Sequence, residues 1–187
     1  LATAVEIVLR AGEIQMAGRE SGFQIAKKGE IDLVTEVDLA CERMCRAVLA
    51  ERFPEHDILA EELSAGPQEA ARARYRWVFD PIDGTTNYAH GLPIFCASLA
   101  LELDGQPIVG AIYDPSRREL FTAEKGEGAF VNGTRLKASC TAAPTSLKPG
   151  PLVPLVTSTW PSGRMVAFIC RRANRMPGTL RHAGEAR

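Results

Sequence analysis

The sequence has 187 residues, 45% of them apolar, and a formal charge of −1 at pH 7, which excludes a compositionally disordered chain and a uniformly basic nucleic-acid binder. No apolar run approaches the roughly 20 residues of a bilayer-spanning helix, and five cysteines without a secretory pattern make a reducing, cytoplasmic setting the expectation. Only Glu185 of the 23 acidic residues lies beyond residue 139, so an acidic stretch suited to collecting cations precedes a basic one.

Residues 3–19 predict a helix: Val5, Val8, Leu9, Gly12 and Met16 recur at steps of three and four, and Gly22 supplies a stop. Ile31-Asp32-Leu33-Val34-Thr35 is short and rich in β-branched residues, and reads as a strand or hairpin arm. A second helix spans 37–52, with Leu39, Met44, Val48 and Leu49 as its main apolar positions, a cap at Thr35 or Glu36 and an end at Pro54. Cys41 and Cys45 share a face of it and read as small buried residues, since no second Cys or His pair stands at zinc spacing. Asp57–Ala60 is a short strand leading into Glu61-Glu62, residues 64–76 are a surface loop or exposed helix, and Trp77-Val78-Phe79 is an apolar strand. Strands follow at 95–103, 107–113, 119–124 and 129–131, parted by turn signals at Asp104-Gly105, Asp114-Pro115-Ser116 and Lys125-Gly126. Two helices and then a run of antiparallel strands predict an α+β domain over 1–139. Over 140–187, prolines from Pro144 to Pro177 and arginines from Arg171 to Arg187 interrupt any periodicity, and no aromatic pattern accompanies the positive charge.

The segment Asp80-Pro81-Ile82-Asp83-Gly84-Thr85-Thr86-Asn87 concentrates the chemistry. A strand delivers Asp80 at its end, Pro81 stiffens the turn, and Asp83 points back near Asp80, where the Ile82 carbonyl can join them. Such an all-oxygen set suits a hard cation such as Mg²⁺ and not zinc. Gly84 permits close backbone approach, and a helix opening at Thr85 would place free N–H groups beside the cations, the layout that phosphate-ester hydrolysis needs. Asp, Pro, Gly and Thr are also ordinary turn residues. What separates the two readings is the neighbourhood: Glu61-Glu62 ends another strand and Asp38 follows the 32–35 arm, so several carboxylates can converge, which is tolerable mainly with cations present. His56 and His90 flank these segments but sit in no nucleophile–base pattern, and read as structural.

Asp80-Pro81-Ile82-Asp83-Gly84-Thr85-Thr86-Asn87-Tyr88 resembles the signature of the inositol monophosphatase family. Lys28-Gly29 with Asp32-Leu33-Val34-Thr35 and Asp38, Ala60-Glu61-Glu62, Tyr113-Asp114-Pro115, Gly126-Glu127-Gly128-Ala129 and Asn132-Gly133 match further family motifs in order, over about residues 1–139. The resemblance implies the N-terminal part of a layered αβαβα fold, Mg²⁺ as cofactor, and hydrolysis of a small phosphate monoester by metal-activated water in a family form that is a homodimer. It implies that Glu61, Asp80, the Ile82 carbonyl and Asp83 hold the ions, and that Asp38 and Thr85, with Glu61, serve the attacking water. Asp83, Gly84, Thr85 and Thr86 would hold the substrate, inositol monophosphate or else histidinol phosphate or another sugar phosphate.

Three departures set the remaining expectations. Ala60 stands where the family carries Gly, and Leu63 where Ser is common; both changes are mild. The family's Trp-Asp motif of a second domain is not matched, because Trp160 precedes Pro161 and Trp77 precedes Val78. Residues 140–187 are therefore expected to be an out-of-frame or divergent end, with impaired activity. Two other classes stay open: an Asp-nucleophile phosphatase, against which the spacing of Asp80 and Asp83 argues, and a non-catalytic module that binds a partner or RNA.

Overall fold

A computed structural model describes residues 1–22, 25–27, 33–60 and 73–137. The sequence expectations for Lys28–Asp32, Glu61 and Glu62, the 64–72 stretch and the whole of 140–187 lie outside the described residues.

Helix α1 runs over Ala2–Ser21 and ends at Gly22. It buries Ala4, Ile7, Val8, Ala11, Gly12 and Gln15, a stripe recurring at helical spacing. This face is turned by about one position from the one the apolar residues suggest: Val5, Leu9 and Met16 are only partly buried, and a polar residue, Gln15, takes the core position. A two-stranded hairpin follows, β1 (Ile25–Lys27) against β2 (Leu33–Thr35). Helix α2 spans Glu36–Arg52, and Thr35, extended at its N-cap, forms a capping box with Asp38. It buries Val37, Cys41, Cys45, Val48 and Leu49; both thiols are free, as their apolar reading required.

The remaining elements are β3 (Asp57–Ala60), β4 (Tyr75–Asp83), α3 (Thr85–Ala89), β5 (Cys96–Leu103), β6 (Gln106–Asp114), β7 (Glu119–Glu124), β8 (Gly128–Val131) and β9 (Thr134–Arg135). Strands β3 to β9 form one seven-stranded sheet in sequence order. All its pairs are antiparallel except β3–β4, which is parallel, with Asp57 opposite Arg76 and Ala60 opposite Phe79. A parallel pair needs a connection of about a dozen residues, which the stretch between Ala60 and Tyr75 supplies. At the β5–β6 hairpin, Asp104 and Gly105 both take left-handed backbone angles (φ 49° and 73°), as the favoured two-residue turn requires.

Helices α1 and α2 pack on one sheet face, where Ile7, Val8, Cys41 and Leu49 meet Trp77, Phe79, Leu99 and Ala111. Alternation along β5 divides its residues: Ala97 and Leu99 belong to that core, whereas Cys96 joins a smaller cluster with Ile112, Ala123 and Ala129. Among the described residues no helix is long and apolar enough to cross a membrane.

His56 has a structural place at the edge of the helix-side core. Its ring stacks between Phe53 and Tyr75, with centroids 4.9 and 4.7 Å away, and its Nδ1 accepts a 3.0 Å hydrogen bond from Trp77 Nε1. That bond requires an unprotonated Nδ1. Burial holds the His56 pKa below its ordinary value of 6.5. The unfolded chain then binds the His56 proton more readily, so stability is lost as pH falls below about 6.5. Thermal unfolding between pH 8 and pH 5 checks this. His56→Phe, which keeps a ring but no acceptor, should be less stable at pH 8 by about 1 kcal/mol and should lack the loss below pH 6.5 that wild type shows relative to it.

Candidate active site

Strand β4 carries the central carboxylates, and the geometry depends on an irregularity in it. Side chains on a strand alternate between faces, so residues three apart in a regular strand point to opposite sides. In the β4–β5 ladder Asp80 pairs with Ser98 and Asp83 with Cys96, with a register shift between them. Ser98 and Cys96 are two apart and share a face of β5; β4 takes three steps over the same distance. The extra residue is a β-bulge, and it returns Asp83 to the face that holds Asp80. Strand β4 therefore runs over Tyr75–Asp83 and continues through Pro81, rather than delivering Asp80 at its end with Pro81 in a turn as the sequence suggested. Ile82 falls on the helix-side core, 1% exposed, which anchors the bulge from the other side.

Gly84 follows with φ 97°, and a Cβ there would meet Ile94 O at 2.8 Å, so only glycine fits this turn. It is the N-cap of α3, whose first residue is Thr85. The Thr85 hydroxyl donates to Ile82 O at 2.8 Å, which closes the turn between the second aspartate and the helix. Thr86, one residue on, is exposed. Asp38, 2% exposed, is the capping-box acid of α2: its Oδ2 accepts from Thr35 N at 2.8 Å and from Thr35 Oγ1 at 2.6 Å. Segment 80–86 thus brings Asp80, Ile82, Asp83, Gly84 and Thr85 together, while Glu61 lies outside the described residues. In sequence, Glu61 follows Ala60 as Asp80 follows Phe79, and Ala60 and Phe79 are ladder partners.

The electrostatics reflect carboxylates drawn out of water. Burial pushes the Asp83 pKa up to about 6. The buried Cys96 thiol beneath is pushed well above its ordinary value, first by burial and then by the charges of Asp83, Asp80 and Asp114. The donors present are carboxylate and carbonyl oxygens, which fit a hard divalent cation. No set of three or more His, Cys, Asp or Glu side chains placed to hold a metal occurs among the described residues; Asp80 and Asp83 make up a pair. Gln15, Cys96 and Ser98 are the site neighbours that sequence reading did not single out. For Gln15 the usable signal was a polar residue at the helical spacing of Val8 and Ala11. His90 is exposed, its Nδ1 2.8 Å from Thr86 O, and has no place in the cluster.

The profile of the inositol monophosphatase family matches residues 1–165. Inositol monophosphatase 1 of Solanum lycopersicum is 42% identical over 140 residues, covering 74% of this chain and 51% of the relative. The Nus factor SuhB of Escherichia coli is 39% identical over 138 residues, covering 73% and 51%. Among solved structures, the extragenic suppressor protein SuhB of Bartonella henselae superposes with a TM-score of 0.69 at 34% identity, over 75% of this chain and 54% of that one. The chain spans about half the length of the curated relatives it matches.

The raised Asp83 pKa has a measurable consequence. Between the ordinary carboxyl value of 3.8 and about 6 the folded state holds the Asp83 proton more tightly than the unfolded chain does. Stability of the cation-free protein therefore falls as pH rises through that window and stays lower above it. Asp83→Asn should remove this slope and raise stability at pH 7, by up to about 3 kcal/mol. Thermal melts in chelator at pH 4.5 and pH 7 check both signs.

Proposed function

The chain belongs to the inositol monophosphatase family, and from that premise we propose that it serves hydrolysis of a small phosphate monoester with Mg²⁺ as cofactor. The observation that supports this most is the β4 bulge, which sets two carboxylates side by side at the mouth of a Gly84–Thr85 turn. Glu61, Asp80, the Ile82 carbonyl and Asp83 would hold the cations. Bound Mg²⁺ supplies positive charge that makes a water more acidic and offsets the charge of the phosphate. The substrate of first choice is inositol monophosphate, with histidinol phosphate or another sugar phosphate next. A homodimer in the cytoplasm completes the reading.

The chain's own residues supply the rest. The Thr85 hydroxyl commits its proton to Ile82 O, so its lone pairs are left to accept from an attacking water. Asp38 is held by the cap of α2 in one orientation and would take a proton from that water, with Glu61. The backbone N–H groups of Gly84 and Thr85, together with Thr86, would hold the phosphate, and Asp83 would face the substrate alcohol. A second reading, as a partner- or RNA-binding protein, is carried by the acidic stretch to residue 139 and the basic one beyond it. Salt-dependent binding of RNA without phosphatase activity would support it over the first.

Phosphate release from inositol 1-phosphate tests the proposal. Mg²⁺ should support turnover and Zn²⁺ should do so weakly. Asp80→Asn should lower kcat/KM by more than the roughly 100-fold that losing an outer-shell partner costs; near wild-type activity would sink the assignment. Thr85→Ala should lower kcat about 100-fold with KM nearly unchanged, since alanine keeps the backbone N–H. A large KM change at constant kcat would make Thr85 a binding residue instead.

A further inference from the structure

Gln15 is completely buried in the apolar face of α1, and nothing in the chemistry above uses it. Its Nε2 donates a 2.7 Å hydrogen bond to Pro81 O, and its main-chain carbonyl accepts one of 2.6 Å from the Tyr88 hydroxyl. One residue of α1 thus holds the 80–88 segment near both ends. A turn further along, Arg19 donates to Gly91 O at 2.7 Å and lies 5.3 Å over the Phe95 ring. The same helix therefore grips the chain that returns into β5.

The partner of Gln15 is the telling feature. Pro81 and Ile82 have no partners in the β4–β5 register, because they form the bulge. A bulged residue is left out of the ladder, and proline brings no N–H of its own. Only the amide NH₂ can donate to a carbonyl, so the orientation of the Gln15 side chain is fixed by Pro81. Its Oε1, turned the other way, has no hydrogen-bond partner among the described residues. A half-satisfied amide in a core is less stable than an apolar side chain of the same shape. Packing alone would favour methionine or leucine here; the hydrogen bond to the bulge is what the amide adds.

We infer that Gln15 is a positioning residue: its amide fixes the bulge that keeps Asp80 and Asp83 on one face, and so sets the affinity of that pair for a hard divalent cation. The inference rests on the metal-site reading proposed above. It differs from a packing role, because a packing residue would change stability and leave cation affinity alone.

Mn²⁺, an oxygen-seeking ion, is the probe, titrated into the full chain and followed by the electron paramagnetic resonance of the free ion. Gln15→Met, nearly isosteric and without a donor, should keep cooperative unfolding in chelator and bind Mn²⁺ roughly 10–100-fold more weakly than wild type. In wild type, the Gln15 side-chain NH₂ resonances should shift on Mg²⁺ titration and saturate together with the Asp83 amide, a readout that stands even if the variant does not fold. Wild-type Mn²⁺ affinity in Gln15→Met, or Gln15 resonances unmoved by Mg²⁺ while Asp83 responds, overturns the inference and leaves the metal site standing. Wild type that binds no Mn²⁺ overturns the metal site itself, and the inference with it.

Discussion

Two aspartates three residues apart on a strand cannot face the same way unless the strand gains a residue. That geometric constraint organises the site. Because Asp80 lies opposite Ser98 and Asp83 opposite Cys96, both carboxylates stand on the face away from the helices. Ile82, between them, goes the other way into the core. The bulge leaves Pro81 outside the ladder, and its carbonyl is met by Gln15 of α1. Bringing the chain back after Asp83 then demands the left-handed Gly84, where a side chain would strike Ile94 O. Each feature of the segment answers the one before it.

The arrangement works against the stability of the empty protein. Two carboxylates with restricted access to water sit over a thiol whose own ionisation they oppose. A bound cation offsets the loss of hydration that burial imposes, so binding and folding stability are linked: whatever binds the folded state and not the unfolded one stabilises it. His56 contributes with the opposite pH sign, favouring folding as pH rises. The two groups lie in different parts of the fold, one among the rings of Phe53, Tyr75 and Trp77 and the other on the opposite face of β4. Their contributions are therefore separable by substitution.

Most of the fold was legible in the sequence because period and punctuation agreed. The helices and the meander from β5 to β8 follow from apolar spacing and from turns such as Asp104-Gly105. The misreadings have physical causes. The apolar run Trp77-Val78-Phe79 reads as a strand that delivers Asp80 at its end, with Pro81 in a turn; the bulge, which sequence patterns do not encode, is what admits Pro81 into a strand that runs on to Asp83. Helix α1 was turned by a position because hydrophobicity points to Met16, whereas Gln15 is the residue with a partner inside. The parallel β3–β4 pair and the short β9 depend on tertiary pairing. Of the candidate site, the contiguous Asp80–Thr86 run was readable from local chemistry; Asp38 and Glu61 stood out as neighbouring carboxylates at element ends, and only their proposed roles came from the family resemblance. Gln15 joins the site across 66 residues of sequence, a distance over which no local pattern reports.

The carboxylates with proposed work among the described residues are each positioned by an interaction that also builds the fold. Asp38 is the third residue of α2, and the capping box that holds it, with Thr35 N–H donating to its Oδ2 and its own N–H donating to Thr35 Oγ1, also satisfies the start of that helix. Asp80 and Asp83 are set by the pairing of β4 with β5, and Thr85 by its bond to the carbonyl between them. Each is oriented by a cap, a ladder or a turn that forms as the backbone does, not by an exposed loop. A site built this way has little freedom to adjust to its ligand. The contact that reaches the bulge from α1, Gln15 to Pro81 O, is where its control is inferred to lie, in the helix-side core rather than at the surface.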